Sequence, residues 1–473
     1  MTINKLEKYG LITCSILFLI LYFILSFNIR FAVDDFIAIA LINEYGAFGA
    51  IKYLFLNWTG RWSGNLYFNF IYSLGHFFSA EKQFVFLYYL SSILIFVYAI
   101  YSIFTSLIKY FFEHQPPVFI RLSYAILFCA AFYFSTFLSI EVWFWIGSSF
   151  SYLQSIIFSS LGVALILNKN KFILKYFLIA LCFQYVGGAA ENHSLSLLII
   201  FSVLIFYFLQ KNKFSFKELI NHPYFTSVSI AFVFLLMSSS ITYFSAGNFQ
   251  RLHHDTAFAV ANPDYKVVNQ FGNSISELII IFFQKKYLTF LLLLFPFILL
   301  GLQMKLFSKK KTNSYISIQK LFIISVLIFA LFFTITSLIS FSVFRSFGPI
   351  RSWASVNFII TILFCFWSFI LGYKTSFFEK NKILLPYFYI PLMLVLLFYI
   401  FKQYPIVTAY SSAYDKRINY LYELKKQNIK DTVIFLEPLP DPGMLVYGEP
   451  TYLEDFGFEK ALGLKFKVRT KEK

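Results

Sequence analysis

Charged side chains are scarce in this chain of 473 residues, and that scarcity excludes an ordinary soluble protein. Asp, Glu, Lys and Arg make up 13% of the sequence and hydrophobic residues 59%, whereas soluble domains carry about a quarter charged residues. Phenylalanine occurs 66 times, and mean hydropathy is +0.70. This composition indicates a membrane protein that crosses the bilayer many times.

Cysteine is rare as well. Its four copies lie far apart inside apolar segments, at Cys14, Cys129, Cys182 and Cys365. Their spacing matches neither a disulfide framework nor a zinc site, so we interpret them as small buried hydrophobic residues. The sequence also has no internal repeat, a feature that many transporters show.

The net charge of +17 does not come from a basic helix or tail. Lys and Arg recur in small clusters between apolar runs, which is typical of the signals that orient membrane helices. We therefore predict membrane lipid, and no nucleic acid, as a partner.

Eleven apolar runs are long enough to cross about 30 Å of hydrocarbon. They lie near residues 11–27, 84–108, 118–138, 150–167, 172–188, 194–209, 226–244, 287–303, 319–341, 356–373 and 384–401. Lys5 and Lys8 precede the first run, and no small-residue cleavage site follows it, which favours an uncleaved anchor with a cytoplasmic N-terminus. The predicted fold class is an all-α polytopic membrane protein.

The distribution of basic residues supports this count, because Lys and Arg accumulate in short cytoplasmic loops. Loops predicted on the cytoplasmic side hold 18 basic and four acidic residues, whereas the loops predicted on the outer side hold ten basic and nine acidic residues. The C-terminus is then extracytoplasmic. The outer loops also hold five arginines and five of the six tryptophans, residue types suited to ligand recognition.

The sequence changes character after the last apolar run. Residues 403–473 carry eleven basic and ten acidic residues and no membrane-length segment. Residues 414–430 have the periodicity of an amphipathic helix, and 431–436 that of a short buried strand. We predict a transmembrane domain over 1–402 and a small α/β extracytoplasmic domain over 403–473.

The first outer loop, residues 28–83, places Asp34 and Asp35 beside a membrane span. Carboxylates are costly in lipid, so the pair is expected at an aqueous surface. Apolar patches at 36–41 and 66–74 predict helices that lie in the plane of the membrane interface. One of the two aspartates could instead cap the first of these helices.

The second outer loop contains Glu141, Trp143 and Trp145. Aromatic faces stack on sugar rings while a carboxylate accepts hydrogen bonds from hydroxyl groups, so the trio suits a carbohydrate site. An aromatic belt at the membrane interface is the alternative for the tryptophans.

The third outer loop places Glu191 and Asn192 after the small residues 187–190. Small residues permit close approach of a ligand to the backbone, although Asn192 could equally be a helix cap. A metal role for His193 is not favoured, because no second ligand sits at helical spacing.

Arginines complete the candidate set, because a guanidinium binds phosphate in a bidentate manner and neighbouring glycines free backbone N–H groups. The candidates are Trp58 and Arg61 in the first loop, Asn248 and Arg251 in the fourth, and Arg345 and Arg351 in the fifth. His253, His254 and Asp255 could chelate a metal, but adjacent side chains rarely converge, so we favour a solvated loop.

Together these motifs resemble a bacterial family of uncharacterised multi-spanning membrane proteins that is grouped with the GT-C glycosyltransferases. The shared features are a double aspartate after the first span, Trp-x-Gly-Arg, Glu-Asn beside small residues, and Gly-Asn-x-x-Arg. The resemblance implies an enzyme of the bacterial cytoplasmic membrane that moves a sugar from a polyprenyl phosphate carrier to a glycan or lipid acceptor on the outer face. It also implies that Asp34 or Asp35 is the base, and it leaves a divalent metal cofactor open.

The expected mechanism is a single displacement with inversion. Asp34 or Asp35 takes the acceptor proton, while outer arginines stabilise the departing phosphate. Repulsion between the adjacent carboxylates raises one pKa. The alternatives are a transporter or flippase of lipid-linked or sugar substrates, and an oligosaccharide polymerase.

Overall fold

The computed structural model of the protein is almost entirely helical. It describes residues 5–32, 34–137, 139–170, 172–211, 219, 222, 224–260, 287–307, 317–344, 349–375, 385–447 and 457–471. Long apolar runs form helices in a membrane because only internal hydrogen bonding satisfies every backbone group there.

Sixteen α-helices and two strands make up the regular structure of these residues. The helices are α1 (Lys5–Phe27), α2 (Asp34–Asn57), α3 (Trp62–Phe77), α4 (Glu81–Phe111), α5 (Val118–Ser135), α6 (Ile146–Ser151), α7 (Leu153–Leu167), α8 (Ile173–Gly187), α9 (Glu191–Lys211), α10 (Phe225–Tyr243), α11 (Ala246–Val260), α12 (Tyr287–Phe307), α13 (Ile318–Phe344), α14 (Ala354–Lys374), α15 (Tyr389–Lys426) and α16 (Phe458–Leu462). The strands are β1 (Val433–Leu436) and β2 (Lys467–Thr470). A π-helical turn covers Ile140–Phe144, and 3-10 turns cover Ile350–Trp353 and Leu385–Phe388.

Eleven helical segments within the described residues are long and apolar enough to cross a membrane. The chain is an integral membrane protein of the predicted all-α polytopic class. Ten of the eleven overlap the predicted spans. The predicted span at 172–188 forms α8, whose 15 residues extend only about 22 Å, and the eleventh apolar helix is α2.

Helix α2 begins and ends on the same side of the bundle, because residues at its start and just beyond its end contact one short segment, residues 147–152. Gly46, with φ 72° and ψ 168°, breaks α2 into two halves. Asp35 at the start of α2 contacts Gly147, and Arg61 just beyond its end contacts Tyr152. Gly147 and Tyr152 are five residues apart, about 7 Å along a helix. The chain therefore enters and leaves α2 on one side of the bundle.

One end of the bundle gathers the ends of several helices, and we call it the site end. It comprises residues 28–32 with 34–35, and residues 58–63, 141–152, 187–192, 242–251 and 349–353. Hydrogen bonds join these segments across long stretches of sequence: Thr242 donates to the carbonyl of Gly187, and Asn192 donates to that of Ser352.

Helix α15 runs past the site end. Its 38 residues, which include Pro405, measure about 57 Å, roughly twice the hydrocarbon thickness. The predicted helix over 414–430 is the last part of α15, and the predicted domain division at residue 403 falls inside this helix. Strand β1 lies within the segment 431–436 that was predicted as a short buried strand, but only its Leu436 is buried. It pairs in parallel with β2, which the sequence analysis did not identify.

The core of the bundle is aromatic and tightly packed. Trp143 is 1% exposed, and rings of Tyr22, Phe132 and Tyr133 surround it at centroid distances of 5.4–6.1 Å. All four cysteine thiols are buried, as predicted. Such contacts supply much of the association energy of membrane helices, since lipid offers no hydrophobic drive between them.

Helices α12 and α14 approach each other most closely at two glycines. A Cβ at Gly372 would collide with the backbone oxygen of Ile298, and one at Gly301 would collide with that of Phe369. Small residues at helix interfaces allow this approach.

We predict that Gly372→Ala forces α12 and α14 apart and lowers the free energy of unfolding by about 1–3 kcal/mol. A thermal unfolding scan in detergent would measure this loss as a lower Tm. Leu371→Ala is the control, because the Leu371 side chain is 45% exposed on the same helix. A Tm of Gly372→Ala equal to that of the wild type would contradict the prediction.

Candidate functional site

The two adjacent aspartates at the start of α2 have different surroundings. Asp35 is 1% exposed, and its carboxylate accepts hydrogen bonds from the backbone N–H of Ala32 at 2.9 Å and of Gly147 at 2.8 Å. Asp34 is exposed. Successive residues of a helix point about 100° apart, so the Asp35 carboxylate faces the protein while that of Asp34 faces solvent at the site end.

Burial dominates the titration of Asp35. It raises the pKa of the Asp35 carboxyl to about 8, while the two backbone N–H donors act in the opposite direction and the neighbouring charge of Asp34 adds to the rise. The indole N–H of Trp145 lies nearby and also favours the ionised form. Asp35 is thus a structural carboxyl that ties α2 to α6.

Asp34 lies among charged groups of three other segments. The surrounding protein raises the pKa of its carboxyl by desolvation, Arg351 and Arg251 lower that pKa, and Glu141 raises it. Its net pKa is above the ordinary value, although solvent reaches the side chain. A carboxylate with a raised pKa and solvent access is suited to accept a proton.

Arg351 connects the second and fifth predicted outer loops. It donates a hydrogen bond from Nη1 to Oε2 of Glu141 at 3.1 Å, and its guanidinium lies 4.4 Å from the ring centroid of Trp145. Glu141 lies on the π-helical turn, a rare conformation that is frequent at functional sites. This pairing with Glu141 leaves about a quarter of the Arg351 side chain exposed.

Arg61 forms the second charged contact of the site end. Its Nε donates to both carboxylate oxygens of Glu191, at 3.1 and 2.9 Å, and its Nη1 donates to the hydroxyl of Tyr152 at 3.0 Å. Glu191 is the first residue of α9, where the helix dipole favours a negative charge. Arg61 is thereby held by one carboxylate and one phenol, and Tyr152 is a site residue that the sequence analysis missed.

The Gly-Arg and Gly-Asn elements of the sequence pack against each other. Asn248 accepts a hydrogen bond from the N–H of Gly60 at 2.9 Å and donates to the carbonyl of Thr242 at 2.8 Å. A side chain at Gly60 would collide with Thr242 and Ser245. Asn248 therefore fixes the loop that carries Arg61.

Arg251 lies on the same side of this loop. Its guanidinium carbon is 5.5 Å from the ring centroid of Trp58, which is 45% exposed. The two residues form a cation–π pair, and the charge of Arg251 acts on Asp34.

The remaining candidates have structural contacts or lie outside the described residues. Asn192 is buried and donates to the carbonyl of Ser352. Trp143 has no exposed face to offer a ligand, because it belongs to the aromatic core. Arg345 lies outside the described residues, as do the side chains of His254 and Asp255.

His193 has a structural contact. His193 is buried, and its Nε2 lies 3.0 Å from the hydroxyl of Ser159. Across the part of the chain that the structure describes, no cluster of three His, Cys, Asp or Glu side chains is arranged to hold a metal ion.

An apolar cavity of about 390 Å³ lies between the membrane helices, next to the site end. His193, two residues after Glu191, lines one end of it, and Phe112 and Phe369 line the other. Phe369 is 15 residues beyond the start of α14, about 22 Å along that helix. The cavity was not predicted, because phenylalanines that line a void and phenylalanines that fill a core have the same sequence pattern.

Comparisons of the chain with protein families, curated proteins and solved structures found no match.

The buried Asp35 carboxyl predicts a specific dependence of stability on pH. Its pKa rises from 3.8 to about 8 on folding, so the folded protein binds this proton more tightly. The resulting stability is fully present below the unfolded pKa and is lost as pH rises toward the folded value. We expect the Tm of the wild type to fall, relative to that of Asp35→Asn, between about pH 5 and about pH 8, and the difference to level off above. A Tm difference that stays constant over this range would refute the assignment.

Proposed function

We propose that the protein is a GT-C type membrane glycosyltransferase that moves a sugar from a polyprenyl-phosphate-linked donor to a glycan or lipid-linked acceptor. One observation carries this proposal. The solvent-accessible carboxylate of Asp34 lies within the electrostatic influence of Arg351 and Arg251, at the end of the bundle next to an apolar cavity. A proton acceptor, phosphate-binding cations and an apolar space are what such a reaction needs.

The proposed reaction is one displacement at the anomeric carbon. Asp34 accepts the proton of the acceptor hydroxyl, and the freed oxygen attacks the anomeric carbon as a nucleophile. The bond between that carbon and the phosphate oxygen breaks, and the electron pair leaves with the polyprenyl phosphate. Arg251 and Arg351 stabilise the charge that develops on the phosphate. Because there is a single displacement, the anomeric configuration inverts.

Asp35 is not the base in this proposal, because its carboxylate is buried and already accepts two backbone hydrogen bonds. It orients the start of α2 and thereby Asp34. Glu141 is bound to Arg351, and its proposed role is to orient that arginine.

The apolar cavity is the proposed site for the polyprenyl chain. Its lining is almost wholly apolar, and it begins about 3 Å along α9 from Glu191. A lipid carrier whose phosphate binds at the arginines would extend its chain in this direction. A transporter or flippase of sugars would instead need a polar lining along its pathway, which this cavity does not provide. A polymerase would use the same site residues with a longer acceptor.

The proposed location is the bacterial cytoplasmic membrane, with the site end and the C-terminal segment on the outer face. The excess of Lys in the loops predicted to be cytoplasmic supports this orientation. Helices α2 and α3 are proposed to lie at the interface, since Phe48 is 81% and Phe77 79% exposed on these short extramembrane helices and lipid would cover both rings.

We predict that Asp34→Asn lowers transfer by about 10²–10⁴-fold or more, because the amide cannot accept the hydroxyl proton. The assay supplies membranes containing the protein with a panel of polyprenyl-phosphate-linked radiolabelled sugars and counts label in extracted glycan and lipid. Glu44→Gln is the matched control, since Glu44 is exposed on the same helix and should leave transfer unchanged. Full transfer by Asp34→Asn would exclude Asp34 as the base.

Arg351 should contribute to binding of the carrier phosphate. We predict that Arg351→Gln lowers the affinity for undecaprenyl phosphate by about tenfold or more, since a charge-assisted contact is lost. Ligand-dependent rises in Tm measure the affinity, and undecaprenol, which lacks the phosphate, should bind both proteins equally. Lys374→Gln removes a charge at the opposite end of α14 and serves as the control. Equal affinities of Arg351→Gln and the wild type would remove Arg351 from the phosphate site.

A further inference from the structure

The part of α15 beyond the site end contacts the segment that leads into Asp34. Ser411, Tyr414 and Asp415 are spaced i, i+3 and i+4, so they share one face of the helix. The Ser411 hydroxyl lies 2.6 Å from Oδ1 of Asn28, and the Tyr414 hydroxyl donates to the carbonyl of Phe31 at 3.1 Å. This face of α15 therefore binds the connection between α1 and α2.

The strongest of these contacts is the ion pair between Arg30 and Asp415. Nε and Nη2 of Arg30 donate to the two carboxylate oxygens of Asp415 at 2.6 and 2.7 Å. The Arg30 side chain is only 7% exposed, and a buried guanidinium is costly without its counter-ion. Lys82 at the start of α4 also donates to Asp415, at 2.9 Å. One carboxylate thus joins α15 to the end of α1 and the start of α4.

Only a short turn separates these contacts from the proposed base. The N–H of Asp35 donates to the carbonyl of Ala32 at 3.0 Å, and the N–H of Ala32 donates to the carboxylate of Asp35 at 2.9 Å. This reciprocal pair ties Ala32 to Asp35 through two hydrogen bonds. A displacement of Arg30 or Phe31 would therefore carry Asp34 with it.

The C-terminal segment fixes other positions of α15. Gln403 accepts the N–H of Met444 at 2.9 Å, and the Tyr410 hydroxyl donates to the carbonyl of Val446 at 3.1 Å. Arg417 donates to the carbonyl of Glu437. Residues that follow α15 in the sequence thus fix this helix through hydrogen bonds. The same helix binds Arg30 through Asp415.

We propose that the extramembrane part of α15 is a latch that positions Asp34, with Tyr414 and Asp415 as its positioning residues. The latch itself is a property of the fold; its effect on turnover rests on the proposed function. Opening the latch would displace the base relative to Arg351 and Arg251 without removing any group that binds the donor.

Hydrogen–deuterium exchange of the full chain in detergent tests the latch directly. Asp415→Asn should raise the exchange rate of the peptide covering residues 28–36 by about tenfold or more, since a charge-assisted contact is lost. Tyr414→Phe, a milder change, should raise the same rate by a smaller factor. Glu437→Gln breaks the exposed pair with Lys471 and should leave this peptide unchanged. An unchanged rate in Asp415→Asn, or an equal rise over the whole chain, would overturn the proposal.

Turnover supplies a second readout that a merely structural role would not move. Asp415→Asn should lower kcat by tenfold or more with the affinity for undecaprenyl phosphate unchanged, and Asp415→Glu should restore most of the rate. Loss of that affinity, with kcat kept, would overturn the positioning role. If the wild type transfers no sugar from any polyprenyl-phosphate-linked donor, the proposed function fails, and the exchange rates still decide whether the latch exists.

Discussion

The carboxylate of Asp35 joins helix α2 to the rest of the bundle, and the geometry of the site end depends on this contact. It accepts the amide hydrogens of Ala32 and of Gly147, which is 112 residues away in sequence. A Cβ at Gly147 would lie 3.0 Å from Asp35 Oδ1, so a larger residue there would crowd the carboxylate. Without these hydrogen bonds, a buried carboxylate would be strongly destabilising.

Hydrogen bonds between polar groups of different segments also organise the rest of the site end. Arg61 meets Glu191 and Tyr152, Asn248 meets two backbone groups, and Asn192 meets the turn that carries Arg351. These contacts tie six segments of the chain into one surface. Lipid excludes polar groups from the membrane-facing parts of the helices. At the site end, hydrogen bonds hold the polar groups in place.

The membrane helices could be predicted from composition, because the bilayer requires long apolar runs and little else competes with that signal. Helix α2 was harder, since its apolar residues suit a span while the break at Gly46 and the contacts of its two ends prevent one. Strand β2 was missed because a parallel pair forms between segments far apart in sequence. The continuity of α15 through Pro405 was missed because proline usually ends a helix.

The sequence predicted which residues are candidates for the site, but it did not predict the different role of each one. The sequence places Asp34 and Asp35 together and cannot tell which faces inward, because that depends on the orientation of α2 against α6. Trp143 and Trp145 differ by two residues in sequence, yet one fills the core and the other supports Arg351. Periodicity shows that such residues alternate in environment, whereas only tertiary contacts show which environment each one receives.

The distribution of partners separates structural carboxylates from the proposed reactive one. Asp35, Glu191 and Asp415 each accept two or more hydrogen bonds, so their lone pairs are already engaged by the protein. Within the described residues, the carboxylate of Asp34 accepts no such bond, and the charges of Arg351 and Arg251 act on it through space. A base must keep a lone pair available for the substrate. The fold thus places Arg351, Arg251 and Glu141 around Asp34 while leaving its own carboxylate open, which is the arrangement that preorganised acid–base chemistry requires.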